Sequence, residues 1–142
     1  MKLSNFVLAI ITLAVSTVCW AQDDENMSSV QKSPDGNITV EEAKTMIAEN
    51  LNNPEFLLID VRTPDEYKSG HIENSLLIDF KTDDFKDKIS KLDRSKKILL
   101  ICRSGKRSGL AKSLMEDIGF TEVYNMIGGI IEWTQKGYTL VD

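Results

Sequence analysis

The chain alternates short apolar runs with segments of helical spacing, and this alternation indicates its fold class. The apolar runs lie at residues 56–59, 76–78, 98–101 and 123–126. Two of them, 56–59 and 98–101, are apolar without alternation, as strands covered on both faces are. Strands that alternate with helices form a parallel sheet with helices on both faces. The sequence therefore predicts an α/β fold.

Capping residues and glycines mark the ends of the predicted helices. Thr39 and Thr63 each precede a glutamate by three residues, which is the capping-box pattern, and Gly70 and Gly119 are placed to end helices. The predicted apolar faces are Val40, Ala43, Ile47 and Leu51 in the first helix, and Leu110, Leu114 and Ile118 in the helix before Gly119.

The first 21 residues have the pattern of a secretory signal peptide. Lys2 precedes an apolar run from Phe6 to Val15, and a small residue, Ala21, ends the segment. The run is shorter than the ~20 residues that a membrane-spanning helix needs. We expect cleavage, an exported protein without stable membrane insertion, and a periplasmic location in a Gram-negative host. A lipid anchor on Cys19 and an uncleaved membrane anchor are the alternatives.

The remainder of the chain is predicted to form one domain after a short leader. Residues 22–37 are polar and acidic and indicate a flexible leader, which leaves residues 38–142 for the domain. The 142 residues have a net charge of −5, which argues against nucleic acid as a partner. The pattern predicts no particular oligomeric state.

The candidate reactive residue is Cys102, which directly follows the apolar run at 98–101. Parallel sheets of this class place their chemistry at the carboxyl ends of the strands. Once Cys19 is removed with the signal peptide, Cys102 has no partner for an internal disulfide. The turn into the next helix consists of Arg103, Ser104, Gly105, Lys106, Arg107 and Ser108.

This turn is expected to bind an anion and to activate the thiol. Its amide groups are predicted to point inward around the sulfur at a helix N-terminus, and Arg103, Lys106 and Arg107 add three positive charges. A free thiol titrates near ~8.5, and such surroundings lower that pKa and favour the thiolate. The alternative is a buried, inert cysteine beside a solvated basic turn.

The cysteine turn resembles that of the rhodanese family of sulfurtransferases. The similarity extends over residues 38–142 and includes Asp60-Val61-Arg62, Glu66-Tyr67, Gly70-His71-Ile72, Gly119-Phe120 and Gly128-Gly129 with Trp133. It implies a five-stranded parallel α/β domain. It also implies that Cys102 takes a sulfane sulfur from a small anionic donor such as thiosulfate, and that the persulfide passes it to a thiophilic acceptor.

The resemblance implies a role for each motif residue. Cys102 would be the nucleophile, and the substrate-binding residues would be Arg103, Ser104, Gly105, Lys106, Arg107 and Ser108. Structural roles near the site are expected for Asp60, Arg62, His71 and Trp133. No cofactor is expected, and one histidine with one cysteine is too few for a metal site.

Two other functions remain open from the sequence. The first is a rhodanese-like sulfur carrier or binding module that serves a partner protein without turnover. The second is a cysteine phosphatase or arsenate reductase, suggested by the anion-binding turn. Phosphatases of related folds have arginine at the sixth position after the cysteine, whereas here Ser108 is sixth and Arg107 is fifth.

Overall fold

A computed structural model describes residues 33–142, and they form one five-stranded parallel sheet covered by helices. The strands are Asn37–Ile38 (β1), Phe56–Asp60 (β2), Leu76–Leu77 (β3), Lys97–Ile101 (β4) and Val123–Met126 (β5). Their order in the sheet is β1-β5-β4-β2-β3, and every pair is parallel. The predicted α/β class and strand number are confirmed. The predicted signal peptide lies outside the described residues.

Five helices connect or follow the strands. They are Val40–Glu49 (α1), Pro64–Lys68 (α2), Phe85–Ser90 (α3), Lys106–Asp117 (α4) and Gly129–Gln135 (α5). Capping boxes begin α1 and α2, as predicted. After α4, Gly119 has a φ of 100°, and the amide of Phe120 donates a hydrogen bond of 3.1 Å to the carbonyl of Met115. This is the glycine stop that the sequence predicts.

The central strand β4 contributes to a hydrophobic core on each side of the sheet. Leu99 and Ile101 pack with α1 and α5, whereas Ile98 and Leu100 pack with α3 and α4. Successive side chains of a strand point to opposite faces. Because both faces are covered, β4 is apolar throughout. The side chain of Cys102 lies on the α3 and α4 face.

Two predicted helix faces are partly wrong. Leu51 is 61% exposed because α1 ends at Glu49, and Met46 is buried instead. Leu110 is 62% exposed. The buried side of α4 is Ser108, Ala111, Lys112 and Met115. Ser108 faces the cysteine, and Leu110 is two residues further, which at ~100° per residue turns it towards solvent.

The domain begins earlier than predicted. Asn37 belongs to β1, and the carbonyl of Gly36 accepts a hydrogen bond of 2.9 Å from the amide of Asn125. Asp35 accepts a hydrogen bond of 3.0 Å from the amide of Asn37. Residues 33–37, assigned above to the flexible leader, are therefore part of the fold. A two-residue strand is too short to show a hydrophobic pattern.

No helix within residues 33–142 is both long enough and apolar enough to cross a membrane.

A buried ion pair fixes the end of β2. Two nitrogens of the Arg62 guanidinium contact the Asp60 carboxylate at 2.7–3.0 Å, and Nη2 also donates to the carbonyl of Gly70 at 2.8 Å. Asp60 is 0% and Arg62 is 4% exposed. The structural role expected for these two residues thus takes the form of a direct ion pair, which ties β2 to the turn after α2.

Replacing Arg62 is expected to destabilise the domain. Arg62→Ala leaves the buried Asp60 carboxylate without its partner, which costs about 3–5 kcal/mol of unfolding free energy. Urea denaturation measures the loss. The matched control is Lys88→Ala, which removes an ion pair with Asp84 that is about half exposed, and its unfolding midpoint should stay near that of the wild type. Equal losses in the two variants would contradict this account.

Candidate active site

The sulfur of Cys102 lies at the end of β4, enclosed by the turn that follows. Cys102 is 1% exposed. The amide of Gly105 donates to Sγ at 3.1 Å, and the hydroxyl oxygen of Ser108 lies 3.2 Å from Sγ. We call residues 102–108 the cysteine loop. The thiol therefore faces its own loop and the first turn of α4, which is where the sequence predicts an anion site.

Glycines allow the cysteine loop to lie directly against neighbouring backbone. Gly105 has a φ of 89°, and a Cβ there would come within 3.1 Å of the carbonyl oxygen of Met126. A Cβ on Gly129 would come within 2.5 Å of the carbonyl oxygen of Arg103. The amide of Ile130 donates to the carbonyl of Cys102 at 2.9 Å. The start of α5 thus holds the loop from the other side, which explains the glycine at position 129.

Opposing effects set the pKa of the Cys102 thiol. Burial raises it, because the charged form loses solvation, but the hydroxyl and amide of Ser108 and the amides of Ser104 and Gly105 lower it. The hydrogen bonds outweigh burial, and the pKa lies below the ordinary value for a cysteine. This electrostatic balance favours a thiolate, the nucleophilic form of sulfur.

The three cations of the loop have different surroundings. Arg107 is bound by Glu66 through two hydrogen bonds of 2.6 and 2.8 Å. The pair holds the pKa of Glu66 at about 2. Arg103 and Lys106 are exposed and have no carboxylate partner in the described part of the chain. The sequence grouped Arg107 with the donor-binding residues, but its guanidinium is already occupied and ties α4 to α2.

The residues expected to be structural make structural contacts. The ring of His71 stacks on Tyr67 at 3.8 Å, and its main chain pairs with Val141. Trp133 is 5% exposed and lies in the core on the α1 and α5 face, opposite the face that holds Cys102. Its Nε1 donates to the carbonyl of Thr139 at 3.0 Å.

Sequence reasoning missed Asn125 at the site, and it gave Glu66 a capping role without its pairing to Arg107. Glu66 is both the capping residue of α2 and the partner of Arg107. Asn125 is 4% exposed on β5, and its Oδ1 lies 2.6 Å from the hydroxyl oxygen of Ser108. A buried asparagine between apolar strand residues was the available signal, because such a group needs a polar partner.

Within residues 33–142 no group of histidine, cysteine and acidic side chains could hold a metal ion. A cavity of about 330 Å³ lies elsewhere, between the end of α1 and the segment after α5. None of the residues that line it belongs to the cysteine loop.

Comparison with known proteins identifies the family. The family model for the rhodanese-like domain matches residues 39–136. The chain belongs to the rhodanese-like domain family.

Solved structures share the fold. A rhodanese-related protein from Thermoplasma volcanium is 30% identical with a TM-score of 0.62, and the match covers 74% of this chain and 96% of that one. A rhodanese-like domain protein from Staphylococcus aureus is 28% identical with a TM-score of 0.57, covering 68% and 89%.

Curated relatives are longer proteins. The tRNA uridine(34) hydroxylase of Escherichia coli O139:H28 is 37% identical over 92 residues, which are 61% of this chain and 26% of that protein. The same protein of Citrobacter koseri matches equally. The chain spans about a quarter of the length of these relatives.

The Glu66–Arg107 pair is expected to make the stability of the domain depend on pH in the acid range. Because folding lowers the pKa of Glu66 from 4.5 to about 2, the pair stabilises the folded state above pH 4.5 and is lost as pH falls towards 2. Glu66→Gln removes this contribution. Denaturant titrations between pH 6 and about 2 should therefore show a shallower acid loss in the variant. Parallel curves for variant and wild type would contradict the assignment.

Proposed function

We propose that the protein is a sulfurtransferase that holds a sulfane sulfur as a persulfide on Cys102. The observation that supports this most is the sulfur itself, which sits at a strand end under hydrogen bonds that lower its pKa despite burial. Family membership agrees with this chemistry. A thiolate that is formed in advance needs no general base, which fits the contacts of His71, whose ring stacks on Tyr67 and whose main chain pairs with Val141.

The first half-reaction loads the cysteine. The Cys102 thiolate attacks the outer sulfur of thiosulfate and forms a new sulfur–sulfur bond. The old sulfur–sulfur bond breaks, and sulfite leaves with the electron pair. In the second half-reaction a thiophile such as cyanide attacks the outer sulfur, forms thiocyanate and releases the thiolate. Charge balances in both steps, and neither requires a cofactor.

The loop supplies the electrostatic part of this reaction. The terminal sulfur of a persulfide is anionic, and amides that already point towards Cys102 are placed to stabilise it. The exposed side chains of Arg103 and Lys106 attract an anionic donor to a protein that is negative overall. Arg107 contributes less to donor binding, because Glu66 neutralises it.

Thiosulfate should add one sulfur to Cys102. Incubation of the wild type is expected to increase the mass of the peptide containing Cys102 by about 32 Da, the mass of one sulfur atom. Cyanide should remove the added mass and release thiocyanate. Cys102→Ala should abolish both the adduct and thiocyanate formation, because the chain then lacks its nucleophile.

An exposed serine outside the cysteine loop provides the matched control. Ser113→Ala, a substitution on the exposed side of α4, is expected to retain the adduct on Cys102 and the release of thiocyanate. A wild-type protein that never gains the sulfur on Cys102 would contradict the proposal.

A second candidate is a sulfur carrier that exchanges sulfur with a partner protein. Ile127 and Ile131 are 43% and 41% exposed, and both adjoin the cysteine loop. The amide of Ile131 donates to the carbonyl of Arg103 at 3.1 Å, and the backbone of Ile127 lies against Gly105. Exposed apolar side chains beside a reactive sulfur suit a protein surface better than a small anion.

Rates of turnover distinguish the enzyme from the carrier. An enzyme for thiosulfate should reach a kcat/KM of at least ~10⁴ M⁻¹s⁻¹. The carrier should fall far below that value, and its Cys102 persulfide should transfer to a protein thiol faster than to cyanide. Ile131→Glu should slow that transfer, whereas Leu51→Glu, an exposed apolar residue outside the loop, should not. Equal effects of the two variants would exclude the docking role of Ile131.

We propose for this chain neither the cysteine phosphatase or arsenate reductase activity considered above nor the activity that the curated relatives are named for. A phosphatase needs a free guanidinium over its substrate, and Arg107 is bound by Glu66. The hydroxylase activity in the name of the curated relatives belongs to proteins of which the match covers 26%, and we do not extend it to this chain.

We also propose that the protein is exported, and this proposal depends on the sequence of residues 1–21 alone.

A further inference from the structure

A chain of hydrogen bonds connects the surface to the reactive sulfur. Asn37 Nδ2 donates to the Asp35 carboxylate at 2.8 Å, and Asn125 Nδ2 donates to Asn37 Oδ1 at 2.9 Å. Asn125 Oδ1 lies 2.6 Å from the hydroxyl oxygen of Ser108, which lies 3.2 Å from Cys102 Sγ. Asp35 is exposed, whereas Ser108 and Asn125 are buried.

The Asp35 carboxylate at the outer end fixes the direction in which these hydrogen bonds are donated. An ionised carboxylate only accepts hydrogen bonds, and the pKa of Asp35 is lowered to about 2 by its contacts with Asn37 and Ser33. Asn37 must therefore turn its amide nitrogen towards Asp35 and its oxygen towards Asn125. Asn125 must in turn present its oxygen to Ser108, because its nitrogen donates to Asn37.

The inner end of the chain contains a competition for one proton. A serine hydroxyl has a single proton, and Ser108 has two close neighbours that can accept it, Asn125 Oδ1 and the Cys102 thiolate. We propose that Asn125 is a positioning residue for the reaction. It draws the Ser108 proton away from the sulfur, and Asn37 and Asp35 hold its amide in the orientation that does so.

This role, which rests on the proposed sulfur transfer, stabilises the thiol, thiolate and persulfide states of Cys102 to different extents. In the thiol, S–H donates to Ser108 and Ser108 donates to Asn125, so each group has a partner. In the thiolate, Ser108 must donate to the sulfur, and its oxygen then faces Asn125 Oδ1 without a proton between them. In the persulfide the inner sulfur is neutral, and Ser108 donates to Asn125 again. Asn125 therefore favours the loaded cysteine over the free thiolate.

Charged groups also act on the sulfur and must stay constant in any test. Arg107 interacts electrostatically with Cys102 and with Asp79, and Glu66 binds Arg107 from α2. Arg103 and Lys106 are the other cations of the loop. None of these five residues is part of the hydrogen-bond chain, so substitutions of Ser108, Asn125 or Asn37 leave them in place.

Titration of the Cys102 thiol in single variants gives the sign of each effect. Ser108→Ala removes a donor from the thiolate and is expected to raise the thiol pKa by about one unit. Asn125→Leu, which conserves size, frees the Ser108 proton for the sulfur and is expected to lower the pKa by about half a unit. The ultraviolet absorbance of the thiolate, taken relative to the Cys102→Ala version of each variant, reports Cys102 alone.

The double variant distinguishes positioning from a merely structural role. Because Asn125 acts through Ser108, Asn125→Leu should not shift the pKa further when Ser108→Ala is already present. Tyr124→Phe is the matched control, since it changes the neighbour of Asn125 on β5 and removes a hydrogen bond to Glu122, and it should leave the pKa of Cys102 unchanged. The titration uses no sulfur donor, so it remains decisive even if the chain fails to transfer sulfur.

Two results would overturn the proposal. One is an Asn125→Leu variant with a raised or unchanged pKa, and the other is a shift of the same size with and without Ser108. Should Asn125→Leu fail to fold, Asn37→Ala takes its place, because it removes the group that orients the Asn125 amide. In that variant the pKa of the Cys102 thiol should fall, and a raised or unchanged pKa would equally overturn the proposal.

Discussion

The hydrogen bonds that the cysteine loop makes to Cys102 Sγ are the interaction on which this site depends. A cysteine that is 1% exposed is a poor place for a negative charge, and burial alone would give an inert thiol. The amide of Gly105 and the hydroxyl of Ser108 reverse that outcome, because they lie 3.1 and 3.2 Å from the sulfur. The same cysteine without this loop would be one more core residue.

The remainder of the fold keeps the loop in that position. Strand β4 delivers Cys102 to the carboxyl edge of the sheet, and α5 binds the loop carbonyls through the amides of Ile130 and Ile131. The Glu66–Arg107 pair fastens the start of α4 to α2. Gly129 permits the closest of these approaches, since any side chain there would collide with Arg103. The position of the loop around the sulfur is therefore fixed by the backbone contacts of α5 on one side and by the Glu66–Arg107 pair on the other.

The sequence was sufficient for the fold class and for a cysteine at the end of a strand, because each leaves a local pattern. It was insufficient wherever a distant contact decided the outcome. Leu110 fits a helical apolar face, but the contact between Ser108 and the sulfur fixes the rotation of α4 and exposes it. Arg107 reads as a loop cation, and only the fold shows that Glu66, 41 positions earlier, neutralises it. The contact of Asn125 on β5 with Ser108 on α4, 17 positions earlier, likewise depends on the fold.

The most direct test of this account is the ionisation of Cys102 in the wild-type protein. We expect its thiolate absorbance, taken relative to Cys102→Ala, to reach half its full change at a pH below the ~8.5 of a free thiol. A midpoint at or above that value would mean that burial prevails over the loop donors, and a persulfide mechanism based on a ready thiolate would then be contradicted.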